Sequence, residues 1–400
     1  MTIAAAAVVA MAAAASATAS GGDPAAAAGF VTTASPAPSA VPGGLAAPRD
    51  MTAVGGIEFA RLAGVADLHV ESSIVAADAE LIATQIADDV QSVEREFGMS
   101  FAAPPGIYVF SMTKSYARGM TTVFGYPART ADWIAENSVA FFEPPLGLIA
   151  VNWEAVGDRR PVAAFRHELT HLLTLRACAP RCDLVPAWLN EGQGRLAEAY
   201  VQGADWRLTR VRFEASSMAQ TGTLLPLSGL VTQGAWNSLT GWAGYYKYQQ
   251  AARVTELLRE DVGGDAPIAR VYERIRRGDT IARAYEALAG RSFASFVEGL
   301  PQRLRAGSAE PGIVTLPVTP NGPGASYLLY GLTPLATVSV RVSGEAEMTD
   351  LVEVSPYGAV FEPLAGGLPR GTYRITVTVV DGETVLTASV VKTSGRAGPY

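Results

Sequence analysis

Two of the three histidines in this 400-residue chain lie in one short segment, His-Glu-Leu-Thr-His at positions 167–171. Histidines at positions i and i+4 of a helix lie on one face, close enough to bind one metal ion together. The glutamate after the first histidine lies beside that ion, where it can take a proton from a water molecule that the metal polarises. The spacing therefore predicts a metal centre with His167 and His171 as ligands and Glu168 as the general base.

A catalytic zinc site has three protein ligands and one open position. The remaining histidine, His69, lies far upstream with no second histidine or cysteine near it, so we interpret it as an ordinary, partly exposed side chain. Downstream, residues 186–192 read Pro-Ala-Trp-Leu-Asn-Glu-Gly at the start of another predicted helix. The intervening chain allows a turn and an antiparallel return, which makes Glu191 the candidate third ligand. Alternatively, Glu191 is an ordinary carboxylate near a helix N-terminus.

Together, His-Glu-Leu-Thr-His and Trp-Leu-Asn-Glu-Gly resemble the paired motifs of the gluzincin metallopeptidases, most closely the peptidase MA-like group of exported bacterial proteins. The resemblance covers roughly residues 57–305. It implies an α+β zincin-like catalytic domain that binds one Zn²⁺ ion per chain through His167, His171 and Glu191. It also implies that Glu168 is the general base and that the substrate is a protein or a peptide.

The resemblance further implies a tyrosine or histidine, on a later helix, that stabilises the oxyanion of the tetrahedral intermediate. The register of the matching stretch favours Tyr248, with Tyr245 and Tyr246 as alternatives, and each of the three could instead be a packing residue of an amphipathic helix. In zincins, the last strand before the zinc helix is an edge strand that holds the substrate backbone. Here the resemblance assigns that role to residues 146–151.

The sequence departs from the family pattern in two places. Zinc aminopeptidases carry a Gly-x-Met-Glu-Asn segment that holds the substrate amino terminus, and only the fragment Ala-Glu-Asn at residues 135–137 is similar. This favours an endopeptidase. In addition, Gln-Gly-Arg at residues 193–195 replaces the usual apolar-Ala-acidic run, so the carboxylate that orients a ligand histidine is unassigned. Glu198 is one candidate, and its alternative role is a solvated helix residue.

Both cysteines, Cys178 and Cys182, lie between the two motifs. In an exported protein this spacing predicts a disulfide. Two alternatives are a pair of free thiols and a structural zinc site that these cysteines share with His167 and His171. Pro180 argues against the shared zinc site, because it breaks the helix that would place all four ligands on one face.

Hydrophobic periodicity places the motifs in a domain that we predict at residues 56–308. Apolar residues recur at helical spacing over residues 78–97, where Gly98 follows as a stop signal, and in most of the segment from residue 162 to residue 304. Short apolar runs typical of strands lie at residues 107–110, 139–142 and 146–151. The pattern therefore predicts a small mixed sheet followed by a helical subdomain.

Residues 312–395 differ from the preceding residues in composition and hydrophobic pattern, and we predict that they form a second domain. They are rich in Val, Thr and Tyr, alternate with period 2, and include an Asp-Gly hairpin turn at residues 381–382. Strands are predicted at residues 338–342, 373–380 and 385–391. This pattern favours a β-sandwich of immunoglobulin or fibronectin type III style, a candidate for contact with a cell surface or a polymer.

The N-terminal residues predict export. Residues 3–19 are almost wholly apolar or small, which indicates a signal peptide at residues 1–19, although no lysine or arginine precedes the apolar run. The alternative is an Ala-rich tail. Residues 20–55 are predicted to be a flexible Ala/Pro/Gly-rich tether. No second apolar stretch is long enough to span a membrane.

The charge balance limits the classes of partner. The formal net charge is −7, from 31 basic and 38 acidic residues without a basic run, which argues against a nucleic acid as a partner. We therefore expect a secreted or cell-envelope zinc endopeptidase. Two other classes remain open: a non-catalytic exported protein that keeps the zinc site as a scaffold, and a surface-attachment protein in which the β-sandwich does the binding.

Overall fold

The computed structural model describes residues 50–157, 162–200, 205–263, 267–305, 311–316, 326–363, 371–379 and 385–392. The predicted signal peptide, residues 20–49 of the predicted tether and the Asp-Gly turn at residues 381–382 lie outside these ranges. Within them, a mixed α/β region is followed by a helical region and then by two β-sheets. This order agrees with the predicted α+β fold class at the level of its elements.

The described N-terminal residues form a six-stranded sheet in the order β1-β2-β3-β4-β6-β5. Strand β4 pairs in parallel with β3 and with β6, and the other pairs are antiparallel. The strands are β1 (Asp50–Val54), β2 (Ile57–Ala63), β3 (Asp67–Glu71), β4 (Gly106–Phe110), β5 (Ala140–Glu143) and β6 (Leu148–Asn152). The mixed sheet that the sequence predicts is therefore present.

Strand β1 shows that the predicted tether extends too far. Its residues form an antiparallel pair with β2, joined through the turn at Gly55 and Gly56. The tether is predicted from composition alone, which does not report strand pairing. Backbone N–H and C=O groups need hydrogen-bond partners, and pairing with β2 supplies them for this segment.

The edge strand beside the helical region is β5, so the prediction that residues 146–151 form the edge is wrong. Strand β6 lies between β4 and β5, and in the described part of the sheet β5 pairs with β6 alone. The physical reason is the hairpin at residues 144–147, which folds β5 to the outside of β6. A continuous apolar run such as β6 is typical of a strand that is covered on both faces and flanked on both sides.

Helices cover both faces of this sheet. Helix α1 (Ala76–Phe97) packs on one face and confirms the helix predicted at residues 78–97, including its end at Gly98, which adopts φ 77°. Helices α2 (Thr113–Thr122) and α3 (Ala128–Asn137) pack on the other face. The sheet is thus buried on both sides, as its apolar strands require.

The helical region carries both sequence motifs. Its helices are α4 (Trp153–Val156), α5 (Ala163–Cys178), α6 (Ala187–Ala199), α7 (Asp205–Thr221), α8 (Gln233–Ser238), α9 (Gly241–Val262), α10 (Pro267–Arg276), α11 (Ile281–Ala289) and α12 (Phe293–Leu304). A disulfide joins Cys178 to Cys182 in the turn between α5 and α6. The predicted disulfide is therefore confirmed, and neither cysteine is a free thiol or a metal ligand.

The C-terminal residues form two antiparallel sheets in the orders β10-β9-β12-β13 and β11-β8-β7. The strands are β7 (Gly312–Leu316), β8 (Ser326–Tyr330), β9 (Thr337–Ser343), β10 (Glu347–Glu353), β11 (Val360–Pro363), β12 (Gly371–Val379) and β13 (Val385–Lys392). Both sheets contribute to one apolar core, which includes Leu329, Val340 and Ile375. Strands β9, β12 and β13 confirm the three predicted strands.

The sheet β11-β8-β7 also packs on the helical region. Met218 of α7 and Tyr246 of α9 share an apolar cluster with Leu328 of β8 and with Tyr357. The C-terminal sheets are therefore in direct contact with the helix that carries Tyr248. No helix among the described residues is long and apolar enough to cross a membrane.

Candidate metal centre

Helix α5 places both histidines and the glutamate of the first motif in the interior of the protein. His167 and Glu168 are fully buried, and His171 is 2% exposed. The helix is buried on nearly all sides because α1, α6, α10 and β5 surround it. The buried polar side chains of this helix must find a partner in the protein or in a ligand.

Helix α6 brings Glu191 to the two histidines. Glu191 Oε2 lies 3.5 Å from His167 Nε2 and 3.8 Å from His171 Nε2. The three ligand atoms lie within 4.8 Å of one another, and all three residues are buried. The structure therefore brings together the three residues that the sequence predicts as metal ligands.

The donor set fits a metal ion. Within the described part of the chain, His167 Nε2, His171 Nε2 and Glu191 Oε2 are buried without a hydrogen-bond partner. Two ligand atoms at about 2.0–2.1 Å from one tetrahedral zinc ion lie about 3.3 Å apart, close to the separations here. A buried polar atom without a partner costs about 1–3 kcal/mol, and three such atoms within 4.8 Å of one another form a group that could hold a metal ion.

The outer nitrogen of each histidine is held by a side chain of α6. His167 Nδ1 lies 2.7 Å from Glu198 Oε1, and His171 Nδ1 lies 3.1 Å from Asn190 Oδ1. Because each of these oxygens accepts from Nδ1–H, Nε2 of the neutral imidazole is the nitrogen that offers a lone pair to a metal. Glu198 is thus the histidine-orienting carboxylate that the sequence left unassigned. Sequence reasoning missed the role of Asn190, although Asn190 is part of the quoted motif.

The unusual Gln-Gly-Arg run has a local explanation. A Cβ atom at Gly194 would lie 2.9 Å from the His167 ring, and one at Gly192 would lie 2.5 Å from the carbonyl oxygen of Ala251 in α9. Glycine at both positions therefore allows α6 to approach α5 and α9 closely. Arg195 forms an ion pair with the second oxygen of Glu198.

The buried charges also favour a cation. Burial raises the pKa of Glu198, but Arg195 and His167 outweigh it and hold that pKa at about 2, so the carboxylate is charged. Burial lowers the pKa of His167, but the carboxylates of Glu191 and Glu198 raise it to about 10. The carboxylates of Glu191 and Glu198 therefore stabilise positive charge at His167, and either a proton or a metal cation can supply that charge.

Glu168 lies beside the three ligands and differs from them in its contacts. Among the described residues, neither of its carboxylate oxygens has a hydrogen-bond partner, although the side chain is fully buried. Burial raises the pKa of Glu168 to about 8. A carboxylate in this state can accept or donate a proton near neutral pH.

Of the three candidate tyrosines, Tyr248 lies beside the centre and the other two contact different groups. The Tyr248 ring is 6.3 Å from the His167 ring, between ring centroids. Tyr245 donates to Glu214 Oε2 at 2.7 Å, and the Tyr246 hydroxyl lies 2.9 Å from Ser355 Oγ. The contacts of Tyr245 and Tyr246 are those of structural residues.

Two further residues contact the centre from elements that the sequence did not link to it. Gln233 of α8 donates through Nε2 to Glu191 Oε1 at 3.3 Å. Phe142 of the edge strand β5 stacks on His171, with 6.3 Å between ring centroids. No spacing or motif connects either residue to the ligands, so only the folded chain could have identified them.

His69 has no part in this centre. It lies in β3, where its ring stacks on Tyr108 at 4.4 Å and its Nε2 is 3.5 Å from Asp67 Oδ1. It is 8% exposed, so the expectation that it is partly exposed is wrong. The adjacent aromatic side chains of the sheet, which strand pairing places beside it, account for its burial.

Comparison with known proteins adds no functional assignment: no protein-family model matches this chain, and no curated protein matches it. The function of the centre must therefore be argued from its residues and their geometry.

Proposed function

We propose that this protein is a zinc-dependent peptidase of gluzincin type that hydrolyses internal peptide bonds. One observation carries the proposal: the unpartnered ligand atoms of His167, His171 and Glu191 lie within 4.8 Å of one another, with the unpartnered carboxylate of Glu168 beside them. In this proposal the α/β and helical regions form a zincin-like catalytic domain, and the C-terminal sheets form an immunoglobulin- or fibronectin III-like module.

A zinc ion held by these ligands would supply a Lewis acid that polarises the scissile carbonyl and acidifies water. Glu168 takes a proton from the attacking water at a carboxylate oxygen and passes it to the nitrogen of the leaving amine. The water oxygen forms a bond to the carbonyl carbon, and the C–N bond then breaks. The raised pKa of Glu168 supports this shuttle, because a group with a pKa near the working pH can both take and give a proton.

The neighbouring residues have roles that follow from their positions. Glu198 and Asn190 hold the two imidazoles so that each Nε2 atom faces the position at which zinc would bind. Tyr248 donates its hydroxyl hydrogen to the oxyanion that develops on the carbonyl oxygen. The outer edge of β5 binds the extended substrate backbone by strand addition, beside Phe142 and His171.

The proposed location is extracellular or in the cell envelope. The Cys178–Cys182 disulfide supports it, because disulfides persist in oxidising compartments. In that setting, a small disulfide-closed turn before α6 holds the helix that carries Glu191.

The test combines metal analysis with digestion of a peptide library by the full chain and by Glu168→Gln. We expect about one zinc ion per chain in both proteins, since Glu168 is not a ligand. Cleavage should fall by about 10²–10⁴-fold in the variant, as expected for loss of a general base. Glu136→Gln, an exposed residue of α3, is the matched control and should cleave normally.

Normal proteolysis by Glu168→Gln would contradict the proposal. Full zinc occupancy without cleavage of any peptide would instead support a non-catalytic zinc scaffold. Removing zinc with a chelator should abolish cleavage, and adding zinc back should restore it.

A further inference from the structure

Helix α8 contacts both the third ligand and the candidate oxyanion tyrosine. We propose that three residues, Gln233, Trp236 and Lys247, act as a clamp that positions Glu191 and Tyr248 relative to each other. This inference rests on the proposed function for the role of Tyr248, and on the metal centre alone for the role of Glu191. We refer to these three residues as the α8 clamp.

The first contact of the clamp determines which oxygen of Glu191 faces the histidines. Glu191 Oε1 accepts from Gln233 Nε2 at 3.3 Å, whereas Oε2 faces the two imidazoles. The same amide nitrogen donates its other hydrogen to Asn237 Oδ1 at 3.1 Å, which fixes the amide in place. Because Glu191 is fully buried, loss of this donor would leave Oε1 without its partner and free the carboxylate to rotate.

The second contact positions Tyr248. Trp236 is fully buried, and its indole Nε1–H donates to the Tyr248 hydroxyl oxygen at 3.4 Å. The two rings are also perpendicular, at 88°, with centroids 4.9 Å apart, a favourable edge-to-face arrangement. Since indole can only donate, the phenol oxygen is the acceptor here, and the hydroxyl hydrogen points away from Trp236.

The third residue attaches α8 to α9. Lys247 is 5% exposed, and its Nζ donates to the backbone oxygens of Trp236 at 2.6 Å and Leu239 at 3.1 Å. The same ammonium lies 4.9 Å from the centre of the Trp236 ring and 5.5 Å from that of Tyr248. A helix of six residues is too short to be stable alone, so such an anchor is needed to hold it in place.

Helix α8 is short, but its position allows it to contact both Glu191 and Tyr248. Gln233 and Trp236 are separated by one turn of α8 and therefore lie on the same face of it. That face meets α6 through Glu191 and α9 through Tyr248. Movement of α8 would therefore disturb the ligand and the tyrosine together.

The experiment uses the full chain and measures two quantities separately. Zinc affinity is measured by competition with a chromophoric chelator, and kcat and KM are measured on a peptide selected from the library. We expect Gln233→Leu to weaken zinc affinity by about 10–100-fold, the usual effect of losing a side chain that orients a metal ligand. Trp236→Phe keeps a ring in place and should leave zinc affinity unchanged while lowering kcat by about tenfold or more at a similar KM.

Ser238→Ala, at an exposed position of the same helix, is the control and should change neither quantity. Lys247→Met, which keeps the length of the side chain but removes the anchor, should weaken zinc affinity and lower kcat together. The proposal that the α8 clamp positions Glu191 and Tyr248 would be overturned if Gln233→Leu bound zinc with wild-type affinity and Trp236→Phe had the wild-type kcat. If the wild-type chain cleaves nothing but Gln233→Leu still weakens zinc binding, the proposed function fails and the positioning of Glu191 stands.

Discussion

Helix α9 borders two buried polar regions that differ in how their polar atoms are satisfied. On the metal side, the ligand atoms and the Glu168 carboxylate have no hydrogen-bond partner in the described chain. On the side of the C-terminal sheets, the Tyr246 hydroxyl meets Ser355 Oγ at 2.9 Å. There, Ser217 Oγ also donates to the Tyr357 carbonyl oxygen and accepts from the Gly331 backbone N–H, both at 2.9 Å.

The difference separates a ligand site from a structural contact. Burial of polar atoms without partners costs free energy, so a protein keeps several of them together where a ligand completes the set. Successive helix residues are rotated by about 100°, so Tyr246 and Tyr248 point to nearly opposite sides of α9. One tyrosine therefore packs against the C-terminal sheets, and the other lies beside the metal centre.

The largest expected effect is the loss of a ligand. His171→Ala should weaken zinc affinity by more than the about 10–100-fold that removal of an orienting side chain costs, because a bond to the metal is lost directly. The measurement is competition with a chromophoric chelator. His69→Ala removes the one histidine outside the centre and should retain wild-type affinity. Equal affinities of the two variants would show that the unpartnered atoms do not form the zinc site.

A smaller effect is expected at the close approach of α6 to α5. Gly194→Ala would place a Cβ atom 2.9 Å from the His167 ring, so the imidazole must move. We expect zinc affinity to fall by about tenfold, within the range for disturbed ligand orientation. Gly234→Ala is the control, because no described atom lies within 4 Å of the added Cβ. An unchanged affinity in Gly194→Ala would show that His167 tolerates displacement.

A substitution beside the C-terminal sheets, where the polar atoms have hydrogen-bond partners, should change the stability of the protein and not its metal binding. Ser217→Ala leaves the Tyr357 carbonyl and the Gly331 N–H without their partner, which should lower the free energy of unfolding by about 1–3 kcal/mol. Urea denaturation measures this change, and the zinc affinity of the folded variant should equal that of the wild type. A loss of zinc affinity would mean that the contact with the C-terminal sheets also shapes the centre.

Asp89 of α1 offers a third kind of buried polar group, one with protein partners and a shifted pKa. Its carboxylate accepts from Gln85 Nε2 at 3.0 Å and lies 3.8 Å from Arg166 Nη1, but burial raises its pKa to about 7. The folded pKa of Asp89 lies above its unfolded value of about 3.9. The stability that the protonated Asp89 carboxyl contributes is therefore fully present below pH 3.9 and is lost as the pH rises to about 7.

The effect that depends on pH should therefore appear with Asp89→Asn. The amide cannot ionise, so the variant should gain stability relative to the wild type as the pH rises from about 4 to about 7. We expect the gain to grow across this range, because burial opposes ionisation of the Asp89 carboxyl in the folded protein and the amide has no such ionisation. Denaturation midpoints across this pH range are the measurement. A difference between the two proteins that does not vary with pH would contradict it.

Local spacing explains why several features could be predicted. The His-Glu-Leu-Thr-His segment places two imidazoles on one helix face whatever surrounds the helix, because the i to i+4 relation is a property of the helix itself. The disulfide is local as well, since Cys178 and Cys182 are separated by only four positions. Helix α1 followed from its period and from Gly98, and the C-terminal strands followed from their alternation.

Features that depend on long-range packing could not be read in this way. The strand between residues 146 and 151 reads as apolar whether it is central or at the edge, so only the hairpin that places β5 outside decided the edge. Glu198 and Asn190 reach different histidines because α6 returns along α5 in one register. Gln233 contacts Glu191 across a sequence separation of 42 residues, which no local pattern reports.

The sequence by itself therefore determined the pair of imidazoles that could hold a metal ion, because a helix brings His167 and His171 together without help from the rest of the chain. The tertiary structure decided which groups lie beside them: Glu191 within reach of both imidazoles, Tyr248 rather than its neighbours next to His167, and α8 against both. The physical reason is that ligand spacing within one helix is set by backbone hydrogen bonds. Contacts between α5, α6, α8 and α9, in contrast, depend on side-chain packing over the whole core.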